Sequence, residues 1–232
     1  MKNIATMGVS VVCIILCLLL GGCSASMQAR SVDVKESLLV NPSILKKGSG
    51  DQALYRYVNP KTDIKQYSKV MIDPVLIEKQ GELDAKELEN YQKLANNAYI
   101  FLTRELRQDY RIVLIPEPGT MRVQMAIIDA DSSKPVRNVT SSIIPIGIVI
   151  SLASYGATGK QTGVGEITVE FKITDAMSGE LLGAALDRRV GGKDVKGVFD
   201  SWHHADAGLQ FWAQRLRYVL CTGRAGTGCV KP

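Results

Sequence analysis

Between residues 84 and 108 apolar side chains return every three or four positions: Leu88, Tyr91, Leu94, Ala95, Ala98, Leu102 and Leu106. That recurrence lines one stripe of a helix and predicts a single buried face. A second stripe over 198–220, formed by Val198, Trp202, Ala205, Leu209, Trp212, Leu216 and Val219, predicts a closing helix. Elsewhere the period is two. Met121, Val123, Met125 and Ile127 alternate with Arg122, Gln124 and Ala126 in 120–133, and Ile167, Val169, Phe171 and Ile173 alternate with Thr168, Glu170 and Lys172 in 165–179. Successive side chains of a strand point to opposite faces, so each segment reads as a strand with one buried side. "YSKVMIDPVLIE" (67–78) is rich in β-branched residues and predicts a first strand; "RIVLIPEPG" (111–119) predicts a short one closed by a proline–glycine turn. "DAMSGE" at 175–180 supplies the turn into "LLGAALDRRVGG", which makes 165–192 a hairpin.

The order is strand, helix, two strands, an apolar insertion, two strands, helix. Neighbouring strands with short turns favour a mostly antiparallel sheet, and two amphipathic helices can cover one of its faces. The expected fold is α+β, a two-layer sandwich. Residues 24–66 read instead as a tether: "SILKKGSGD" is polar, no period is sustained, and Pro42 and Pro60 interrupt it. Its later part, "LYRYVNPKTDIKQY", is richer in aromatics and suits an ordered arm on the domain.

The leader changes the picture most. Lys2 precedes an apolar run from Val9 to Leu20, too short to span a bilayer, which takes about 20 apolar residues. A basic start, a short apolar core and small closing residues describe a secretory signal. Leu20-Gly21-Gly22-Cys23 resembles the lipobox of bacterial lipoproteins. The resemblance implies diacylglycerol on the Cys23 thiol, removal of residues 1–22, and acylation of the new amino terminus. Ser24 in place of Asp implies transport to the outer membrane. An ordinary cleaved signal, or an uncleaved anchor helix, is the alternative. The expected organisation is a leader (1–22), a lipid-anchored tether and arm (23–66), the α+β domain (67–221) and a tail (222–232).

Charge adds little. The chain holds 28 Lys and Arg against 23 Asp and Glu, a net +5 with no clustered basic face, so nucleic-acid binding is not expected. Once the leader is gone, Cys221 and Cys229 remain beside Cys23. The periplasm is oxidising, which predicts a Cys221–Cys229 disulfide around "TGRAGTG"; two free buried thiols are the alternative.

Tyr57, Pro60, Asp63, Tyr67 and "VMIDPV", with "GEITVEFKITDAMSGELL", "DRRVGG" and the closing helix rich in Trp and Ala, resemble an uncharacterised family of proteobacterial lipoproteins. That resemblance implies an outer-membrane lipoprotein and brings no activity, cofactor or catalytic residue. The hairpin is more loosely similar to the sheet-and-helix domain of the TolB amino-terminal part and of curli-secretion lipoproteins, an analogy of fold alone.

Candidate chemistry is sparse. Asp200, His203, His204 and Asp206 in "FDSWHHAD" carry ligand-type side chains, and Asp200 and His203 share a helical face. Metal centres gather three or four converging ligands; this group offers two or three, and the same residues suit a capped helix start. Glu170, Asp175 and Asp187 could form a carboxylate group for acid–base work, but a turn at Asp175 and Arg188 and Arg189 beside Asp187 suit structural roles. No serine lies in a nucleophile-elbow sequence and no glycine loop cradles phosphate, so neither catalysis nor a cofactor is expected. The insertion "SSIIPIGIVISLASYGATGKQTG" (141–163) reads as a buried connection, as a patch contacting a partner through Ile146, Ile148 and Tyr155, or as a membrane-inserting hairpin of an assembled pore. The preferred expectation is a non-catalytic, anchored module binding an envelope protein. A metal-binding or hydrolytic enzyme and a self-assembling secretion ring are the competing classes.

Overall fold

A computed structural model describes residues 27–29, 31–80, 85–128, 141–145, 166–190 and 201–232 of the chain. Its strands are β1 (Met27–Gln28), β2 (Lys46–Lys47), β3 (Tyr55–Val58), β4 (Lys69–Ile72), β5 (Leu76–Gln80), β6 (Arg111–Ile112), β7 (Thr120–Ile128), β8 (Ser141–Pro145), β9 (Glu166–Asp175) and β10 (Leu181–Val190). Two α-helices accompany them, α1 (Ala85–Leu106) and α2 (Ser201–Gly223). The strands form one sheet in the order β2-β3-β10-β9-β7-β4-β6, with β1 paired to β10 and β5 bridging β7 and β8. Most pairs are antiparallel; β4 and β5 run parallel to β7, and β4 parallel to β6. The parallel pairs follow from the crossover through α1, which returns the chain to the end of the sheet where β4 began. The architecture is the α+β sandwich that the periodicity predicts.

Both helices lay their stripes on one face. Tyr91, Leu94, Ala95, Ala98, Leu102 and Leu106 of α1 and Ala205, Leu209, Trp212 and Leu216 of α2 are buried against Val123, Met125, Ile127, Val169 and Phe171. At their margins the stripes differ from the expected ones. Leu88 and Val219 are each 44% exposed, while Phe101 and Leu220 are buried in their place. Val198 lies outside the described residues.

Two expected strands are shorter than their sequence patterns. The segment 67–78 is two strands, β4 and β5, because Pro74 has no N–H to give the ladder. Four residues lead from Ile72 to Leu76 where the partner β7 advances three, from Val123 to Ala126, so a one-residue bulge absorbs the proline. In 111–119 only Arg111 and Ile112 pair, with one further bond from the Val113 N–H to the Val70 carbonyl, and Leu114 and Ile115 are left 83% and 67% exposed before Pro116 and Pro118. The insertion begins as a strand, since Ser141–Pro145 pairs antiparallel with β5. Residues 146–165 lie outside the described residues.

The segment expected as a tether is laid on the sheet from Met27 onward. β1 and β3 both pair with β10, and 3-10 turns at Val34–Glu36, Pro42–Ile44 and Ile64–Gln66 shape the path between. Asp33, Asn41 and Asp63 each cap a turn by accepting the backbone N–H two residues on. Val32 and Leu45 are buried with Ile128, Ala184 and Leu186 on the face opposite the helices. The arm thus covers part of the second face of the sheet, and the polar positions there meet protein rather than water.

Candidate functional site

Of the residues singled out by sequence, Cys23, Ile146, Ile148, Tyr155 and Asp200 lie outside the described residues. His203 and His204 fall in the first turn of α2, with their side chains outside the described set. Asp206, one turn on, accepts from the Asn97 amide of α1 at 2.9 Å and so ties the helices together. Among the described residues no group of three or more His, Cys, Asp or Glu could hold a metal ion.

The three sheet carboxylates are not brought together. Leu186 pairs with Glu170, and Asp187 with Val169. Directly paired residues share a face, so Glu170 points to the arm and Asp187 to the helices. Asp175 lies six residues beyond Val169, about 20 Å along the strand. A dyad needs two carboxyl groups within hydrogen-bond or water-bridged reach, and this register forbids it.

Each carboxylate is occupied by structure. Glu170, with no exposed surface, accepts from the N–H of Leu38 at 2.6 Å and of Leu39 at 2.9 Å through Oε2. Ser37 Oγ stands 2.7 Å from its Oε1 and 2.8 Å from the Val40 carbonyl, and its one proton serves the two acceptors. Asp187 accepts from Gln28 Nε2 at 2.7 Å and Leu54 N–H at 3.1 Å through Oδ1, and from Trp212 Nε1 at 2.9 Å through Oδ2. It therefore joins β1, the start of β3 and α2 at one point. Next along the strand face, the buried Arg189 guanidinium lies 3.5 Å from the centroid of the Phe211 ring; burial pushes it below its ordinary value and Asp187 opposes that.

Asp175 accepts from the N–H groups of Met177 and Ser178 at 2.9 and 2.7 Å and from Ser178 Oγ at 3.0 Å. The Ser178 N–H above all holds this carboxyl below the usual carboxylate range. Burial, and then its hydrogen bond to Asp175, pushes the Tyr67 phenol up to about 12. Gly179 follows with φ 74°, the left-handed conformation that closes the turn.

At the far end of α2 a disulfide joins Cys221 to Cys229, with the Cα atoms 5.6 Å apart. It folds the tail back so that Lys231 reaches Asp51 of the arm at 2.6 Å, where Arg215 of α2 also binds at 3.2 Å. Hydrogen bonds from these two cations lower the Asp51 carboxyl to about 2. A depression of about 260 Å³ lies between the tail and both helices, lined by Glu105, Gln108, Arg217, Tyr218 and Val230. Two of its polar side chains are already engaged, Gln108 with Glu105 and Arg217 with Asp109.

Sequence reasoning missed the latch of residues 37–39 on Glu170 and the Trp212–Asp187 bond. Glu170 sat at an outward position of an alternating strand, beside Thr168 and Lys172, with nothing local to mark it as buried. For Asp187, only the tryptophan's need for a hydrogen-bond acceptor inside a core hinted at a partner.

Twelve solved chains share a distant likeness, and two of the structures illustrate it. Both are PelC dodecamers from Paraburkholderia phytofirmans, one of a single-site variant in space group C2 at 14% identity, the other in space group P6 at 13%. Each alignment covers 74% of this chain and 95% of the other, with a TM-score of 0.33. No curated protein matches the chain. A family model matches residues 35–216, from the 3-10 turn that precedes the Glu170 latch to the last buried leucine of the α2 stripe but one, and the chain belongs to that family, the proteins of unknown function called DUF3313.

Proposed function

We propose that this chain is a non-catalytic binding or scaffold module of the Gram-negative envelope, tethered by acylated Cys23 to the periplasmic face of the outer membrane. Its partner is another envelope protein, contacted through Ile146, Ile148 and Tyr155. One observation supports the non-catalytic part: Glu170, Asp175 and Asp187 are held apart by the sheet register, and each is tied to several internal donors. A general acid or base must keep a position open for the substrate's proton. The Cys221–Cys229 disulfide supports an exported, oxidising address. The membrane anchor concentrates the domain at one surface, so weak contacts gain from effective concentration.

The test is a photoreactive side chain at position 155 in intact cells, with identification of whatever it captures. Capture of one envelope protein, lost when Ile146 and Ile148 become Ser, supports the reading. Substituting Asp200, His203 and His204 together with Ala is expected to leave any envelope phenotype unchanged. Loss of that phenotype in a folded triple variant would replace the binding module with a metal-dependent one. Deletions of the insertion should begin after Pro145, because Ser141–Pro145 is a strand of the sheet.

A further inference from the structure

Four residues lead from Cys23 to Met27, where β1 begins. An extended chain advances at most about 3.6 Å per residue, so Met27 stands no more than about 14 Å from the acylated position. From Met27 on the chain is held. Met27 pairs with Val190 and Gln28 with Arg189. The Gln28 amide donates to Asp187 at 2.7 Å and to the Gln52 carbonyl at 2.8 Å, and Ala29 N–H donates to the Arg188 carbonyl at 2.9 Å. Leu38 and Leu39 then close on Glu170. For the arm to serve as a long spacer these backbone and side-chain bonds, and the burial of Val32 and Leu45 on the sheet, would all have to be given up.

We infer that the domain is seated directly against the lipid surface, with one end of the sheet turned to the bilayer: the end made by β1, the close of β10 and the opening of β9. This rests on the acylation of Cys23 proposed above. The register identifies the end. Val190 pairs with both Met27 and Glu166, so the strand nearest the anchor and the start of β9 lie together. Asp175 pairs with Met121 at the opposite end, and Arg111, just after α1, pairs with Lys69 there. Both helices run from the anchor end toward the far one, where Gly223 of α2 packs on Ile64. Met27, 66% exposed, presents an apolar side chain on the lipid side. Met177, 60% exposed, sits in the far turn. Ten strand residues span about 33 Å, so that turn stands roughly one strand's length further from the lipid. A partner reaches the far end or the flanks, and only within about one domain's height of the membrane.

The acylated protein, reconstituted in phosphatidylethanolamine–phosphatidylglycerol vesicles with a headgroup nitroxide, provides the test. Cys23 is blocked and Cys221 and Cys229 are bonded, so a fluorophore goes only to an introduced thiol, Met27→Cys or Met177→Cys. The nitroxide is expected to quench the label at 27 severalfold more than the label at 177. Equal quenching, or none at 27, overturns the inference. Inserting about 20 Gly and Ser residues after Ser24, an r.m.s. span of about 25 Å, is expected to bring quenching at 27 down to the level at 177 with unchanged circular dichroism. Undiminished quenching overturns the seating as well. The mass of the Cys23 peptide from the same vesicles separates the two ideas: an unacylated peptide removes the anchor and the seating together. An acylated one with an unquenched label at 27 removes the seating alone.

Discussion

Glu170 sits in a strand whose neighbours are Val169 and Phe171, and three donors from the arm surround its carboxyl group there. Glu170→Ala leaves the Leu38 and Leu39 N–H groups buried without an acceptor. The expected loss is about 3 kcal/mol, read as a lower urea midpoint. Tryptic cleavage after Lys35 should appear at the same time, because the arm loses its latch. A midpoint equal to that of the unsubstituted protein would refute the latch. Tyr67 gives a second residue-scale expectation. Its folded value of about 12 lies above the ordinary 10.0, so folding favours the protonated phenol. That contribution is complete below about pH 10 and is lost as pH rises toward 12. Tyr67→Phe should therefore flatten the alkaline fall of Tm between those limits, and an unchanged slope would show that another group titrates there.

The helices and strands are individually ordinary; their margins are where the structure chose. The α2 stripe as read from spacing includes both Leu209 and Val219, yet the first is 1% exposed and the second 44%. Leu209→Ala is expected to cost about 3 kcal/mol through the cavity it opens. Val219→Ala should stay within about 0.5 kcal/mol, as surface changes do. Chemical denaturation of the pair checks both values, and equal costs would mean that α2 is rotated from the orientation described. The same logic explains 111–119. Its apolar run looked like a strand, but pairing ends at the Val113 N–H, which donates to the Val70 carbonyl, and Leu114 and Ile115 turn to solvent ahead of the prolines. The interrupted strand at Pro74 kept its place because β7 could match it on either side of a bulge.

At the scale of the molecule the tail and the arm hold each other. The disulfide bends the tail so that Lys231 meets Asp51 of the arm beside Arg215 of α2. Reducing the bond is expected to lower stability by about 2 kcal/mol, since the loop it closes is short. A Tm series with and without reductant measures this, with the Cys221→Ala, Cys229→Ala double variant insensitive to reductant. With Cys23 acylated as proposed, an arm bonded to the sheet from Met27 would also limit where partners can bind, because the domain would be held close to the lipid. Two of the carboxylates considered for acid–base work belong to this fastening: Glu170 latches the arm and Asp187 joins β1, β3 and α2.

What the sequence by itself determined is local: two amphipathic helices, the alternating strands and the Asp175–Gly179 turn. Periodicity and turn chemistry act over a few residues, so one chain suffices to read them. Only the tertiary structure decided that the arm is part of the domain, that Glu170 and Asp187 face opposite sides, and that Thr168, Glu170 and Thr174 on the polar side of β9 are buried. A polar position in an alternating strand looks the same whether it meets water or the N–H groups of a segment more than 130 residues away. That meeting is made by chain packing, and no local pattern encodes it.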